Sequence, residues 1–252
     1  MIKFNKEQIY IVTGASSGLG EATALLLNEL GASVVAIARN VERLNKMKSN
    51  CKHPENMFLE IKDLAQDIEG LPKYVKELKE KYGKFSGMAY CAGVTGIFPL
   101  QTLDFENAKR VFDVNYFAPI FMTKGLIDRR NNIGKGTSLV YISSIDAKIC
   151  TRGQSMYSGT KASLAASIKS VSKEVSTQGI RMNCVMPSMI KTPMSTEEFS
   201  SLTGVTEEMQ QSIYPFGWGE PEDVANMIVY LLSDKAKFIS GQNYVIDSGG
   251  AL

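Results

Sequence analysis

The chain has 252 residues, 44% hydrophobic and 21% charged, a globular balance that excludes intrinsic disorder and suits one large α/β domain spanning 1–252. Its net charge is +2 with dispersed basic residues, which excludes a nucleic-acid face or a polybasic membrane anchor as expected features. Four cysteines without CxxC spacing and a single histidine, His53, lead us to expect free thiols in a reducing compartment and no metal site.

The opening Met1-Ile2-Lys3-Phe4-Asn5-Lys6 has no signal-peptide core, and no apolar run approaches the roughly 18 residues that span a bilayer. A cytoplasmic location and no membrane partner are expected. In chain order, the first apolar run, Ile9–Val12, reads as a strand. It ends in Thr13-Gly14-Ala15-Ser16-Ser17-Gly18-Leu19-Gly20, ahead of an amphipathic stretch at 21–30. The second strand, Val34–Ile37, leads into Ala38-Arg39-Asn40 and a helix at 41–49. The third, Met57–Ile61, leads into Asp63-Leu64 and a helix at 71–82. The fourth, Met88–Tyr90, is followed by Cys91-Ala92-Gly93 and a helix at 104–131. The fifth, Leu139–Ile142, ends in Ser143-Ser144 before a helix at 155–177. The sixth, Met182–Val185, ends in Pro187-Ser188. An apolar-rich stretch at 188–219 without a sheet-like pattern reads as a substrate lid. A helix at 221–233 and a seventh strand, Tyr244–Ile246, close the chain.

Near-continuous apolar strands alternating with helices predict a single doubly wound, Rossmann-type parallel sheet of about seven strands with helices on both faces. Ligands of such sheets bind beyond the carboxyl ends of the strands. That is where the motifs fall.

The glycine run after the first strand opens a helix. Its glycines let the backbone approach a pyrophosphate, and the helix N-terminus offers free N–H groups. After the second strand, where an acid would bind ribose hydroxyls, stands Arg39, a cation suited to a 2′-phosphate. NADP(H) is therefore expected over NAD(H). Asp63, with Leu64, either accepts from an adenine amino group or caps a helix. Cys91-Ala92-Gly93 is small where a backbone must pass a ribose. Tyr157 and Lys161, at i and i+4, share a helix face. A nearby ammonium is expected to lower the phenol's pKa and fit it for proton transfer in carbonyl/alcohol chemistry.

Taken together, Thr13–Gly20, Cys91–Gly93, Asn115, Ser144, Tyr157, Lys161, Pro187–Thr192 and Ile246–Gly250 resemble the short-chain dehydrogenase/reductase family along essentially the whole chain. The resemblance implies Tyr157 as general acid/base, Ser144 as carbonyl hydrogen-bond donor, and Lys161 as the group that tunes Tyr157 and binds the nicotinamide ribose. It implies Asn115 as the holder of a water on a proton path, and Ile190 and Thr192 as contacts of the nicotinamide carboxamide. Ser188, where the family usually has glycine, and Ser17, where NADP-dependent members often carry a basic residue, depart from the pattern. NADP preference thus rests on Arg39, with Ser16 in support.

Length and the region from Pro215 to Ala225 are similar to bacterial 3-oxoacyl-acyl-carrier-protein reductases, implying a ketone substrate that includes acyl-carrier- or CoA-linked thioesters. Carrier docking in that group uses basic residues beside the active-site mouth. Lys135 occupies one such place, while Gln178 stands where an arginine would help. A homo-oligomer, dimer or tetramer, packing through the helices at 104–131 and 155–177 is implied as well. A NADP(H)-binding regulator or scaffold without turnover is the alternative that the fold alone leaves open.

Overall fold

A computed structural model describes residues 1–210 and 212–250. Gln211, inside the predicted 188–219 segment, and Ala251 and Leu252, in the predicted 1–252 domain, lie outside the described residues. The chain alternates β1 (Ile9–Thr13), α1 (Gly18–Glu29), β2 (Ser33–Ala38), α2 (Val41–Ser49), β3 (Met57–Ile61), α3 (Leu71–Tyr82) and β4 (Gly87–Tyr90). It continues with α4 (Phe105–Phe112), α5 (Ala118–Leu126), β5 (Ser138–Ile142), the short α6 (Asp146–Ile149), α7 (Ser155–Val175), β6 (Arg181–Pro187), the short α8 (Ser200–Thr203), α9 (Pro221–Leu232) and β7 (Asn243–Ile246). All seven strands run parallel in one sheet, ordered β3-β2-β1-β4-β5-β6-β7.

Successive strand residues point to opposite faces, and the core divides accordingly. Tyr10, Val12, Val34 and Ala36 pack with Leu27 of α1, Leu44 of α2 and Ile228 of α9. Ile11, Val35 and Ile37 pack with Val75 of α3, Met122 of α5 and Leu164 of α7. Each strand of the middle of the sheet therefore buries both faces, which is why its sequence is continuously apolar rather than alternating. The strand order reverses between β1 and β4, and the cleft opens there.

The helix predicted at 104–131 is in fact two helices joined by a π-helical turn over Asp113–Phe117. Pro119 supplies the reason. It has no N–H for the carbonyl of Asn115, four residues earlier, so the regular ladder cannot pass that point. The second half ends at Leu126 because the Asn131 and Asn132 side chains take the carbonyls of Gly125 and Leu126, each at 2.8 Å. The predicted 188–219 segment holds a π-helical turn at Met194–Phe199, then α8. Its two ends are joined by an isolated parallel bridge between Ile190 and Gly219.

Candidate active site

The carboxyl ends of β1, β2, β4, β5 and β6 surround one cavity of about 900 Å³, lined continuously from Arg39, Asp63 and the glycine turn to Ser144, Tyr157 and Lys161. At its nucleotide end, a Cβ on Gly14 would lie 2.9 Å from the backbone of Ala92, and one on Gly20 would lie 2.3 Å from the Gly14 carbonyl oxygen. Neither position has room for a side chain. The Thr13 hydroxyl accepts the N–H groups of Cys91 and Ala92, each at 3.1 Å, and so ties the ends of β1 and β4 together. Ser17 is the N-cap of α1 yet makes no capping bond with its side chain, leaving first-turn N–H groups for a ligand. Cys91 packs beside this turn, and burial pushes its thiol up to about 12. It is a filler and not a thiolate.

Arg39 is largely exposed, and its guanidinium lies 3.7 Å from the Asp63 carboxylate. The other Asp63 oxygen accepts the N–H of Ala65 at 3.0 Å, in a turn and not at a helix terminus. Leu64 is buried beside it. Arg43 and Lys62 line the same end of the cavity, two further cations that the sequence reading missed. Asn40 places Arg43, since its side chain caps α2 by accepting the Arg43 N–H at 2.9 Å.

At the other end, Asn115 is 1% exposed within the π turn. Its side chain accepts the Val94 N–H at 2.9 Å, donates to the Val94 carbonyl at 3.0 Å and reaches the Thr160 hydroxyl at 3.3 Å. It therefore fixes the loop after β4 against α7. Gly93 sits in the gap, where a Cβ would come within 3.3 Å of the Asn115 amide oxygen and 3.5 Å of Lys161 Nζ. Lys161 is 4% exposed; its ammonium donates to the Ile142 carbonyl at 2.9 Å and lies 5.6 Å from the Tyr157 ring centroid. Burial lowers its pKa to about 8.

The expected lowering of Tyr157 by Lys161 is corrected here. Burial dominates and raises the phenol to about 12, and the opposing influence is a hydrogen bond from Ser144. The lysine faces the ring and the Ile142 carbonyl rather than the phenol oxygen. Ser144, 7% exposed, accepts the Asp146 N–H at 3.1 Å, which fixes its oxygen beside the phenol.

On β6 and beyond, the Ser188 N–H donates to the Ile246 carbonyl at 2.9 Å. Ser188 is not among the positive-φ residues, so the family's glycine is not required at this place. Its hydroxyl accepts the N–H of Met189. Pro187, Ile190 and Thr192 all reach the cavity. The Thr192 methyl lies where a Cβ on Gly18 would come within 2.9 Å, so the segment after β6 closes onto the glycine turn. Ser195, missed in the sequence, latches that segment by accepting the Thr192 N–H at 3.0 Å and donating to the Ile190 carbonyl.

Of the predicted catalytic and cofactor-binding residues, all but Asn115 line one cleft, and Asn115 is buried beside it, on Val94 and Thr160. The structure does not bring Lys135 and Gln178 there. They precede β5 and β6, at the amino ends of the strands, where Gly136 N–H bonds Gly179 oxygen at 3.2 Å and Arg129 reaches Gln178 at 3.5 Å. Within one chain they stand on the side of the sheet away from the cleft. Among the described residues no cluster of His, Cys, Asp or Glu could hold a metal, and no helix is long and apolar enough to cross a membrane.

Residues 14–250 match the family model described as enoyl-(acyl carrier protein) reductase. The chain is 33% identical over 245 residues to a 3-oxoacyl-[acyl-carrier-protein] reductase of Rickettsia felis, with 95% of each covered. It is 31% identical to a cyclohexanol dehydrogenase of an Acinetobacter species, covering 97% of this chain and 95% of that one. A solved short-chain dehydrogenase/reductase from Mycobacterium ulcerans superposes with a TM-score of 0.87 at 28% identity, over 99% of this chain and 91% of that one.

Proposed function

The chain belongs to the short-chain dehydrogenase/reductase family of oxidoreductases, and on that premise we propose that it is an NADP(H)-dependent reductase converting a ketone into a secondary alcohol. The observation that carries this reading is one unbroken cavity with a dinucleotide cradle at one end and Ser144, Tyr157 and Lys161 at the other.

The residues fit the cofactor. Gly14, Ser16, Ser17, Gly18, Leu19 and Gly20 would hold the pyrophosphate at the α1 N-terminus. Leu64, Cys91, Ala92 and Gly93 would flank the adenosine and riboses. Arg39, with Arg43 and Lys62 beside it, supplies the positive end suited to a 2′-phosphate, and Asp63 is held ready for the adenine or for Arg39 itself. Pro187, Ser188, Ile190 and Thr192 would face the nicotinamide. When bound, the cofactor supplies the hydride.

The chain's own part is proton supply and geometry. Tyr157, with its pKa raised to about 12, is protonated at neutral pH and can give its proton to the substrate oxygen. Ser144, its oxygen held by the Asp146 N–H, points its own proton toward that oxygen. Lys161 contributes positive charge beside the phenol and a donor for the ribose hydroxyls. The Asn115 carbonyl, released by Pro119, is the place for a water linking Lys161 to solvent. Segment 188–219 acts as the substrate lid, with Met194, Phe199 and Tyr214 over the cavity.

The Rickettsia relative is named for 3-oxoacyl-carrier substrates and the Acinetobacter one for cyclohexanol. We place the substrate among ketones with an apolar body, 3-oxoacyl thioesters linked to acyl carrier or CoA included. The four free cysteines fit a cytoplasmic location.

The test is NADPH and NADH oxidation over a panel of 3-oxoacyl thioesters, simple ketones and keto-sugars. Tyr157→Phe should lower reduction by about 10²–10⁴-fold while leaving NADPH binding intact. Arg39→Ala should weaken NADPH by about tenfold or more and NADH much less. Turnover that survives Tyr157→Phe, or equal losses for the two cofactors in Arg39→Ala, would remove the corresponding part of the reading.

A further inference from the structure

Two cations line the substrate end of the cavity, Lys161 and Arg110 of α4. Lys161 is committed to the Ile142 carbonyl at 2.9 Å. Arg110 is exposed, and among the described residues no carboxylate lies within 4.0 Å of its guanidinium and no hydrogen bond fixes it. The acids around it are engaged elsewhere. Asp113 takes Lys109 at 2.5 Å, and Asp104 caps α4 by accepting the Asn107 N–H at 2.7 Å. Asp146, which lines this end, is occupied by the N–H of Thr151 at 3.2 Å and by its hydroxyl. Lys148 and Arg152, next in the chain to the lining residues Ile149 and Thr151, add exposed positive charge to the same rim.

Arg110 stands close to the reacting centre without belonging to it. The next residue, Val111, is buried, and a Cβ on Gly96 would lie 3.0 Å from its side chain and 3.5 Å from the Tyr157 Cβ. Glycine at this place lets the loop after β4 pass between α4 and Tyr157. Val94, Ile97 and Ile149 make the cavity wall there largely apolar. A planar guanidinium fork matches a carboxylate, and beside apolar walls such a charge-assisted pair is stronger than in open water. A phosphate dianion would call for several converging donors, as the glycine turn offers at the other end, and Asp146 would repel it more strongly. We propose that Arg110 is a specificity-determining residue: it binds a carboxylate at the far end of the substrate, so that oxo acids with an apolar middle are reduced in preference to their neutral esters. The reaction is unchanged, for the carbonyl carbon accepts the hydride from NADPH, its oxygen accepts the Tyr157 proton, and the carboxylate is a spectator. This rests on the reductase reading above, and adds to it the charge of the substrate and the residue that reads it.

The test measures kcat/KM at low ionic strength for 4-oxopentanoate, 5-oxohexanoate and 6-oxoheptanoate and for their methyl esters, in the NADPH-saturated wild type, Arg110→Ala and Arg110→Lys. The wild type should prefer at least one acid over its ester. Arg110→Ala should lose about ten- to a hundredfold more on that acid than on its ester, mainly through KM. Arg110→Lys should recover part of the difference, because it restores the charge without the fork. Added salt should erode the wild type's preference. NADPH fluorescence titration reports that each variant is folded. Equal losses on acid and ester, or a wild type that reduces every ester at least as well as its acid, would overturn the proposal. Equal losses together with a smaller mass in light scattering would overturn it by placing Arg110 between copies of the chain. A wild type that reduces none of these compounds would count against the reductase reading alone. Saturation-transfer NMR of acids and esters on the NADP⁺-loaded protein then decides the question for Arg110: selective loss of acid binding in Arg110→Ala supports the proposal, and acid binding that is absent from the wild type or unchanged in the variant overturns it.

Discussion

At the scale of single residues, the site is governed by burial more than by charge pairing. Tyr157 and Lys161 share a helix face as their spacing requires, but both are removed from water, and each is driven toward its neutral form: the phenol up to about 12, the ammonium down to about 8. Desolvation disfavours phenolate and ammonium alike, and at 5.6 Å from the ring centroid the lysine is not the chief influence on the phenol. The consequence for pH follows. Reduction needs Tyr157 protonated to donate and Lys161 charged to assist. Both forms are present below about pH 8, and Lys161 is the first to lose its proton above it. The rate of ketone reduction should therefore be level below about pH 8 and fall as pH rises through that value. A pH–rate profile of the NADPH-saturated enzyme reads this, and a reduction rate that climbs above pH 8 would contradict it. Ser144 is tied to the phenol more closely than Lys161 is, a relation that twelve intervening residues conceal in the sequence.

Among elements, the decisive feature is the π turn that carries Asn115. An uninterrupted helix over 104–131 would commit the Asn115 carbonyl to the helical ladder. Pro119 breaks that ladder, and the Asn115 side chain then spans the gap between the loop after β4 and Thr160 on α7. Among the described residues, the Val94 N–H finds its partner there. Asn115→Ala leaves that N–H and carbonyl without partners, and a cost of about 1–3 kcal/mol is expected. Urea unfolding should show a lower midpoint with an unchanged slope. A midpoint equal to the wild type would mean that the loop is held by something else. The segment from 188 to 219 is likewise held at its base: Lys191 lies 3.4 Å from Glu207 and 3.1 Å from Glu220, and Glu207 also accepts the Trp218 N–H at 3.0 Å. Trp218, 5% exposed, packs at that base and sends its indole N–H to Gln210 at 3.0 Å.

For the whole molecule, the apolar surface left outside the core bears on assembly. Phe105 is 78% and Phe117 40% exposed, on or beside α4, whereas Ala165 of α7 is 4% exposed and belongs to the chain's own core. Phe117 and the exposed Ala166 remain for contact. On the reading that the chain associates with itself through these helices, light scattering should return a mass that is a multiple of 27.7 kDa, and Phe117→Glu should lower it. A monomeric wild type would overturn that reading. Lys135 and Gln178, at the amino ends of β5 and β6, cannot guide a carrier to the cleft of their own chain.

By itself the sequence determined the sheet, the cleft and the residues that meet in it, because period and composition mark buried parallel strands and each motif directly follows a strand end. Ser144 was legible from its place after β5 and the family resemblance, Tyr157 and Lys161 from their i, i+4 spacing and the same resemblance, and Gly14 and Gly20 from the glycine-rich run after β1. What tertiary structure alone decided are the quantities that depend on neighbours distant in the chain. These are the burial that sets the Tyr157 and Lys161 pKa values, the Arg39–Asp63 pair, and the double clasp of Thr13 on the end of β4. Pro119 was visible in the sequence, but its effect on Asn115 became evident only once both were seen on one broken helix packed against α7. Periodicity records which face of an element is apolar. It does not record which polar group finds a partner across the cleft, and in this chain that difference separates a recognisable site from a described one.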